Sequence, residues 1–240
     1  MTDPGEETLR FLDRALYVQE PATLIVADLH LGRGATSRVE APVDGGEDIR
    51  RRLSALLERT AASTVVIAGD LLHSFSTIPR GVDWHVTRLE RAVSDAGASL
   101  VVTPGNHDGM LESVYAGAMP PTYRLPDDET VVCHGHERPP DTALEGAKRI
   151  IIGHDHPAVS LGGRKLPCVL YGSDHWRGCD VYMLPAFTKT AAGVTINHRR
   201  TDGLQSPLVR DLDVFRPGVY DTGNEQMRWF PPLEACRHLL

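Results

Sequence analysis

The sequence predicts an α/β protein built from two packed sheets, on three observations. Apolar runs of strand length alternate with amphipathic helical segments through the first half. The second half changes to short strand-like segments joined mostly by turn-length connections. Finally, 240 residues suffice for one substantial core, and no Gly/Ser-rich or Pro-rich linker divides them, so a single domain over residues 1–240 is expected.

Taken in order, Leu9 to Val18 fits a short hairpin around Asp13-Arg14. Thr23 to Ala27 (TLIVA) is continuously apolar, as a strand covered on both faces must be, and it ends directly on Asp28. From Glu47 to Thr60, Ile49, Leu53, Leu56 and Leu57 recur at helical spacing with Arg50, Arg51, Arg52, Glu58 and Arg59 between them, predicting an amphipathic helix over a sheet. Thr64 to Ala68 (TVVIA) and Leu100 to Thr103 (LVVT) are further buried strands, separated by a helical segment from Val82 to Ala96. That rhythm predicts parallel pairing through right-handed crossovers. Thr130–Cys133, Arg149–Ile152, Pro167–Tyr171, Cys179–Leu184 and Gly193–Asn197 then suggest a second, largely antiparallel sheet packed on the first. Beyond Arg199, Pro207–Arg210 and Gln226–Phe230 are strand-like, but the intervening Pro and Gly breakers give them no definite place.

Composition excludes several classes. A net charge of -7 argues against coating nucleic acid by bulk electrostatics, so any such contact must be local, at clusters such as Arg50 to Arg52 or Arg199-Arg200. Cys133, Cys168, Cys179 and Cys236 lack CxxC spacing and read as reduced thiols of a cytoplasmic protein rather than a zinc site. Met1 to Glu7 is acidic and polar, and no apolar run approaches about 18 residues, so neither secretion nor membrane spanning is supported. Of 25 basic residues only Lys148, Lys165 and Lys189 are lysine, a bias with no evident bearing on mechanism.

Chemistry enters through five clusters at or just after apolar runs: Asp28-Leu29-His30, Gly69-Asp70, Gly105-Asn106-His107-Asp108, His134-Gly135 and Gly153-His154-Asp155-His156. Ligands of open α/β sheets gather at the carboxyl ends of strands, so these clusters are expected to converge. Carboxylate, imidazole and amide donors in one place suit two adjacent divalent cations. Histidine fills 11 of 240 positions, which makes so many ordered within short motifs a poor candidate for chance. Singly, Asp28 reads as a turn cap, His134 as a satisfied core histidine with His136 a competing ligand, and Asp155 as outward-facing. His85, His175, His198 and His238 lie outside any motif.

The order DLH, GD, GNHD, HG, GHDH resembles the calcineurin-like metallophosphoesterase family, with no ligand position missing. The resemblance implies a four-layer α/β/β/α sandwich of two mixed sheets and two divalent metal ions, manganese first, with iron, zinc and cobalt as alternatives. It implies one metal on Asp28, His30 and His156, another on Asn106, His134 and His154, and Asp70 bridging them. His134 is preferred over His136 because the family's ligand directly precedes a glycine. His107 would stand near the leaving-group oxygen, with Asp108 orienting its ring. His73 departs from the acidic residue many phosphatases carry and is similar to the SbcD-related nuclease branch, as a substrate-side or supporting residue.

Asp13-Arg14-Ala15-Leu16-Tyr17, Ala27 to Gly32 and Leu184-Pro185-Ala186-Phe187 also resemble SbcD-related archaeal phosphoesterases and bacterial DNA ligase-associated phosphoesterases. That likeness implies a phosphodiesterase or nuclease acting on DNA in repair, and the absence of a long apolar run predicts no membrane partner. The alternatives are a small-molecule phosphatase or cyclic-nucleotide phosphodiesterase, and a non-catalytic interaction module, whose mark would be substituted ligands.

Overall fold

The computed structural model describes residues 4, 8–33, 45–199 and 203–238. Most of Met1–Glu7, and Arg200 of the second basic cluster, lie outside them. The first sheet is ordered β1-β2-β3-β4-β5. β1 (Leu9–Leu12) and β2 (Ala15–Val18) form the expected hairpin, and β2 pairs antiparallel with β3 (Thr23–Val26). α1 (Gly45–Thr60) leads to β4 (Thr64–Ile67) and α2 (Val82–Asp95) to β5 (Ser99–Val102), both joining in parallel.

The apolar runs have no polar alternation because both faces of this sheet are covered. Leu24, Val26, Val65 and Ile67 pack with Ile49, Leu53, Val86 and Leu89 of the two helices. The intervening Ile25, Ala27, Val66 and Ala68 meet Val132, Ile151, Tyr182 and Leu184 of the second sheet. Helices, sheet and sheet thus make three layers held by two apolar seams.

Seven strands make the second sheet, in the order β15-β14-β11-β12-β8-β7-β6. They are β6 (Tyr123–Arg124), β7 (Thr130–Val132), β8 (Arg149–Ile152), β11 (Val169–Trp176), β12 (Cys179–Met183), β14 (Arg216–Asp221) and β15 (Gln226–Trp229). Its centre, β12-β8-β7, is parallel, and the outer pairs are antiparallel. A small third sheet, β10-β9-β13, is formed by β9 (Pro157–Leu161), β10 (Arg164–Pro167) and β13 (Val194–Thr195). Two expectations change here. Gly193–Asn197 contributes only β13, which belongs to the small sheet, and Pro207–Arg210 forms turns because its apolar residues cap the outer core instead of pairing.

The outer layer covers Ile150, Ile152, Val181 and Met183 with Val159, Ile196, Leu208, Leu212 and Leu233. It consists of the small sheet, a 3₁₀ turn at Leu212–Val214 and the one-turn α3 (Leu233–Cys236). Pro207, Pro217, Pro231 and Pro232 keep this tail from forming longer helices. All four cysteines are buried and unbridged, and burial pushes the Cys133 thiol up to about 12. Among the described residues no helix is long and apolar enough to cross a membrane.

Candidate metal centre

The site is built on backbone that continues the sheets past their strand ends. Beyond β3 and β4, the amide of Asp28 donates to Gly69 (3.1 Å), that of His30 to Asp70 (2.9 Å) and that of Leu31 to Leu71 (2.8 Å). From the second sheet, Gly153 donates to the His134 carbonyl (3.0 Å). The sheets meet where the His154 amide donates to Asp28 Oδ2 (3.0 Å). Asp28, His30, Asp70, His154 and His156 all take positive φ, between 48° and 81°. Such backbone costs roughly 1–3 kcal/mol per residue and persists where the surroundings over-determine it. The braces above do so.

Motif glycines are needed for space. A Cβ on Gly105 would overlap the Asp70 carboxylate, and one on Gly69, at φ 79°, would overlap the His134 ring.

All seven expected ligands are brought together. His30 Nε2 and His156 Nε2 are 3.0 Å apart, and His156 Nε2 lies 3.3 Å from Asp28 Oδ1. His134 Nε2 is 3.1 Å from Asn106 Oδ1 and 3.2 Å from His154 Nδ1. Asp70 stands between these groups, its Oδ1 3.6 Å from His134 Nε2 and its Oδ2 3.9 Å from His30 Nε2. Donor atoms of Asp28, His30 and His156 lie within 4.8 Å of one another, as do those of Asp28, Asp70 and His134, and those of His30, His73 and His107.

The donor chemistry fits a divalent cation. The Nδ1–H of His134 donates to the Ala68 carbonyl (3.1 Å), which leaves its Nε2 lone pair facing Asn106 Oδ1 and His154. Ligands about 2.1 Å from a shared ion and at right angles stand about 3.0 Å apart, matching the His30–His156 and His134–Asn106 spacings. Asp28 and Asp70 are buried, and among the described residues every ion-pair partner of either is a histidine.

Burial pushes His30 down to about 3 and His134 down to about 4, so both rings are neutral donors at pH 7. Burial, reinforced by the Asp28 charge, pushes Asp70 up to about 8. Burial also acts to raise Asp28, but the hydrogen bond and charge of His156 outweigh it and hold Asp28 low. Two carboxylates this close resist joint ionisation unless a cation sits between them.

His107 lies at the rim. Its amide donates to Asp70 Oδ1 (2.8 Å), its Nδ1–H to the His73 carbonyl (2.9 Å), and its Nε2 is 3.9 Å from Asp70 Oδ2. The His73 ring stacks 5.8 Å from it at 8°, and the exposed Phe75 ring lies at 3.9 Å.

Asp108 requires a correction. Its carboxylate does not orient the His107 ring; it accepts from the amides of Leu72 (2.8 Å), Gly105 (2.8 Å) and Leu71 (3.3 Å), tying the two ligand loops together. The His73 carbonyl takes the orienting role instead. Asp155 is likewise buried rather than outward-facing, accepting from Gln205 and Ser206 amides at 2.9 Å each. His136 stays behind the donor set, its ring 5.1 Å from that of His134. His175 accepts from the Arg210 amide, remote from the centre. The helical basic cluster is paired off, Arg50 with Glu47, Arg51 with Asp48, and Arg52 with Asp13. Sequence reasoning missed Phe75 and the His73 and Ala68 carbonyls; backbone acceptors leave no mark in side-chain identity.

Imidazole and carboxylate donors at the carboxyl ends of strands from two face-packed sheets define a metallophosphoesterase-type centre. The chain belongs to the calcineurin-like phosphoesterase family, whose profile matches residues 22–156, a span holding all seven donors together with His107 and Asp108. Membership makes it a hydrolase of phosphoesters. Among solved structures, the nuclease MPE of Pseudomonas putida shares the fold, with a TM-score of 0.62 and 23% identity over 92% of this chain and 94% of that one. YfcE, a phosphoesterase from E. coli, aligns at a TM-score of 0.42 and 13% identity over 88% of this chain and 98% of that one. A comparison with curated proteins gives no match.

Proposed function

We propose that residues 1–240 form one domain acting as a dinuclear, manganese-dependent phosphodiesterase on DNA. The observation that carries the catalytic reading is the placement of Asp70, with one oxygen toward His134 and the other toward His30. In this reading Asp28, His30 and His156 hold one ion, Asn106, His134 and His154 hold the other, and Asp70 serves both. When bound, such ions polarise the phosphoryl oxygens and lower the pKa of water. The His73 carbonyl fixes the His107 tautomer, leaving Nε2 to face the reacting phosphate. As a water oxygen bonds to phosphorus and sheds a proton to solvent, the ester P–O bond breaks and the departing oxygen takes the Nε2 proton of His107 in its doubly protonated form. The half-exposed rim at His107 and Phe75 leaves room for a bulky leaving group. The DNA substrate is supported by His73, by the outer motifs shared with SbcD-related enzymes, and by the shared fold of a protein described as a nuclease.

The test is hydrolysis of bis(p-nitrophenyl) phosphate, p-nitrophenyl phosphate, cyclic nucleotides and single-stranded DNA by protein loaded with Mn²⁺. Turnover of diester and DNA above monoester supports the proposal. Inactivity toward every diester with metal bound would refute it.

A further inference from the structure

Beside the metal centre lies a cavity of about 300 Å³, bordered by His156. Its rim carries Arg14, Lys165 and Lys189, and among the described residues no acidic one lines it. Two of the three lysines in an arginine-rich chain therefore converge on one cavity. The walls are largely proline and alanine, including Pro157 and Pro185, so an apolar floor meets a cationic rim.

This cavity is fixed to the metal-ligand backbone. The Phe187 amide donates to the Ala27 carbonyl (2.7 Å) and the Val194 amide to the His156 carbonyl (2.8 Å), so the 187–194 loop is pinned next to Asp28 and at His156. Arg14 ties the same loop, donating to the carbonyls of Ala186 (2.9 Å) and Thr188 (2.5 Å). Lys165 donates to the Gly193 carbonyl (2.5 Å), which leaves two of its three N–H groups for a ligand. Lys189 is 56% exposed and stands 3.9 Å from Asp48.

We infer that this cavity is a subsite for a second phosphate and its nucleoside, which makes the substrate class an oligonucleotide rather than a compact diester. The inference rests on the proposed hydrolytic reading. A cationic rim beside His156 places a neighbouring phosphate at a set separation from the bond to be cut. The apolar walls suit a sugar or base, and the volume is at the lower end of small-ligand sites. Cyclic nucleotides and bis(p-nitrophenyl) phosphate have one phosphate and cannot use it.

The test compares dithymidine phosphate with its 5′- and 3′-phosphorylated forms. One phosphorylated form is expected to exceed the plain dinucleotide in kcat/KM by about tenfold or more, as a charge-assisted contact provides. In the Lys165→Gln/Lys189→Gln variant that ratio falls toward unity. Lys148→Gln, on an exposed lysine paired with Glu129 outside the cavity, keeps it. Calorimetry with thymidine 3′,5′-bisphosphate gives a readout without turnover, and its Kd is expected to rise about tenfold or more in the double variant. An unchanged ratio or an unchanged Kd in that variant would overturn the inference. If wild-type protein with metal bound cleaves none of the diesters, the dinucleotides included, while the Kd difference stands, the hydrolytic reading falls and the subsite remains.

Discussion

Asp28 and His134 have side chains 0% and 1% exposed, whereas the His107 ring retains 23% exposure and Phe75 beside it 56%. The inner donors are held by backbone from two sheets, with five of seven in left-handed conformations. His107 is fixed by two hydrogen bonds and flanked by the His73 and Phe75 rings of the loop after β4. On the proposed reading, the contrast follows from what each region would handle. Metal ligands must be dry, neutral or anionic, and immobile, while a group that passes a proton to a leaving oxygen must meet the substrate.

The largest break in this contrast is expected from Asp28→Ala, which removes an oxygen donor and the acceptor for the His154 amide. Metal content measured by plasma emission should fall together with bis(p-nitrophenyl) phosphate turnover. His107→Asn is expected to keep metal content while lowering turnover by roughly 10²–10⁴. Parallel loss of metal would show that rim and interior are not separate.

Asp108→Ala leaves amides of Leu71, Leu72 and Gly105 without their acceptor, and should cost about 2 kcal/mol or more in urea denaturation. Asp108→Asn, which keeps an acceptor oxygen, should cost less and leave the pH profile of turnover in place. A shifted profile would return Asp108 to the role of ring orienter.

Chelated protein offers a pH test. His30 and His134, held at about 3 and about 4, refuse protons that their unfolded forms accept near 6.5, so their contribution is lost as pH falls below 6.5. Asp70, raised to about 8, keeps its proton when its unfolded form has lost it, so its contribution fades as pH rises from about 4 to about 8. Two rings outweigh one carboxyl below 6.5, giving a Tm maximum near that pH, with limbs no steeper than about 1.4 kcal/mol per pH unit per proton. Asp70→Asn should flatten the alkaline limb and steepen the acid limb between about pH 4 and 6.5, where the carboxyl opposes the two rings.

Phe75→Ala is the smallest change, expected within about 0.5 kcal/mol of wild type in stability because the ring is mostly exposed. KM for an aromatic leaving group should rise a few-fold, reflecting roughly 1 kcal/mol of stacking. A larger effect on kcat than on KM would mean that the ring positions His107.

Where a segment's environment is uniform, its sequence told the structure. TLIVA and TVVIA are apolar throughout because helices cover one face and a sheet the other. Arg149–Ile152 is a strand with the expected bounds. β14 went unseen because Arg216-Pro217-Gly218 looks like a breaker, yet a Cβ on Gly218 would overlap Trp229 on the paired strand. Its pattern makes sense only with the neighbour in place.

By itself the sequence determined the donor inventory and its order, since residue type sets ligand chemistry and apolar runs set where strands end. Tertiary structure decided direction and distance. Adjacency made Asp108 look like a partner of His107, but the carboxylate turns to amides more than thirty positions upstream at Leu71 and Leu72. Left-handed backbone at Asp28, His30, Asp70, His154 and His156, and the cationic cavity made by Arg14, Lys165 and Lys189, likewise exist only once separate strands are paired. A carboxylate binds the nearest donors in space, and chain order does not specify which those are.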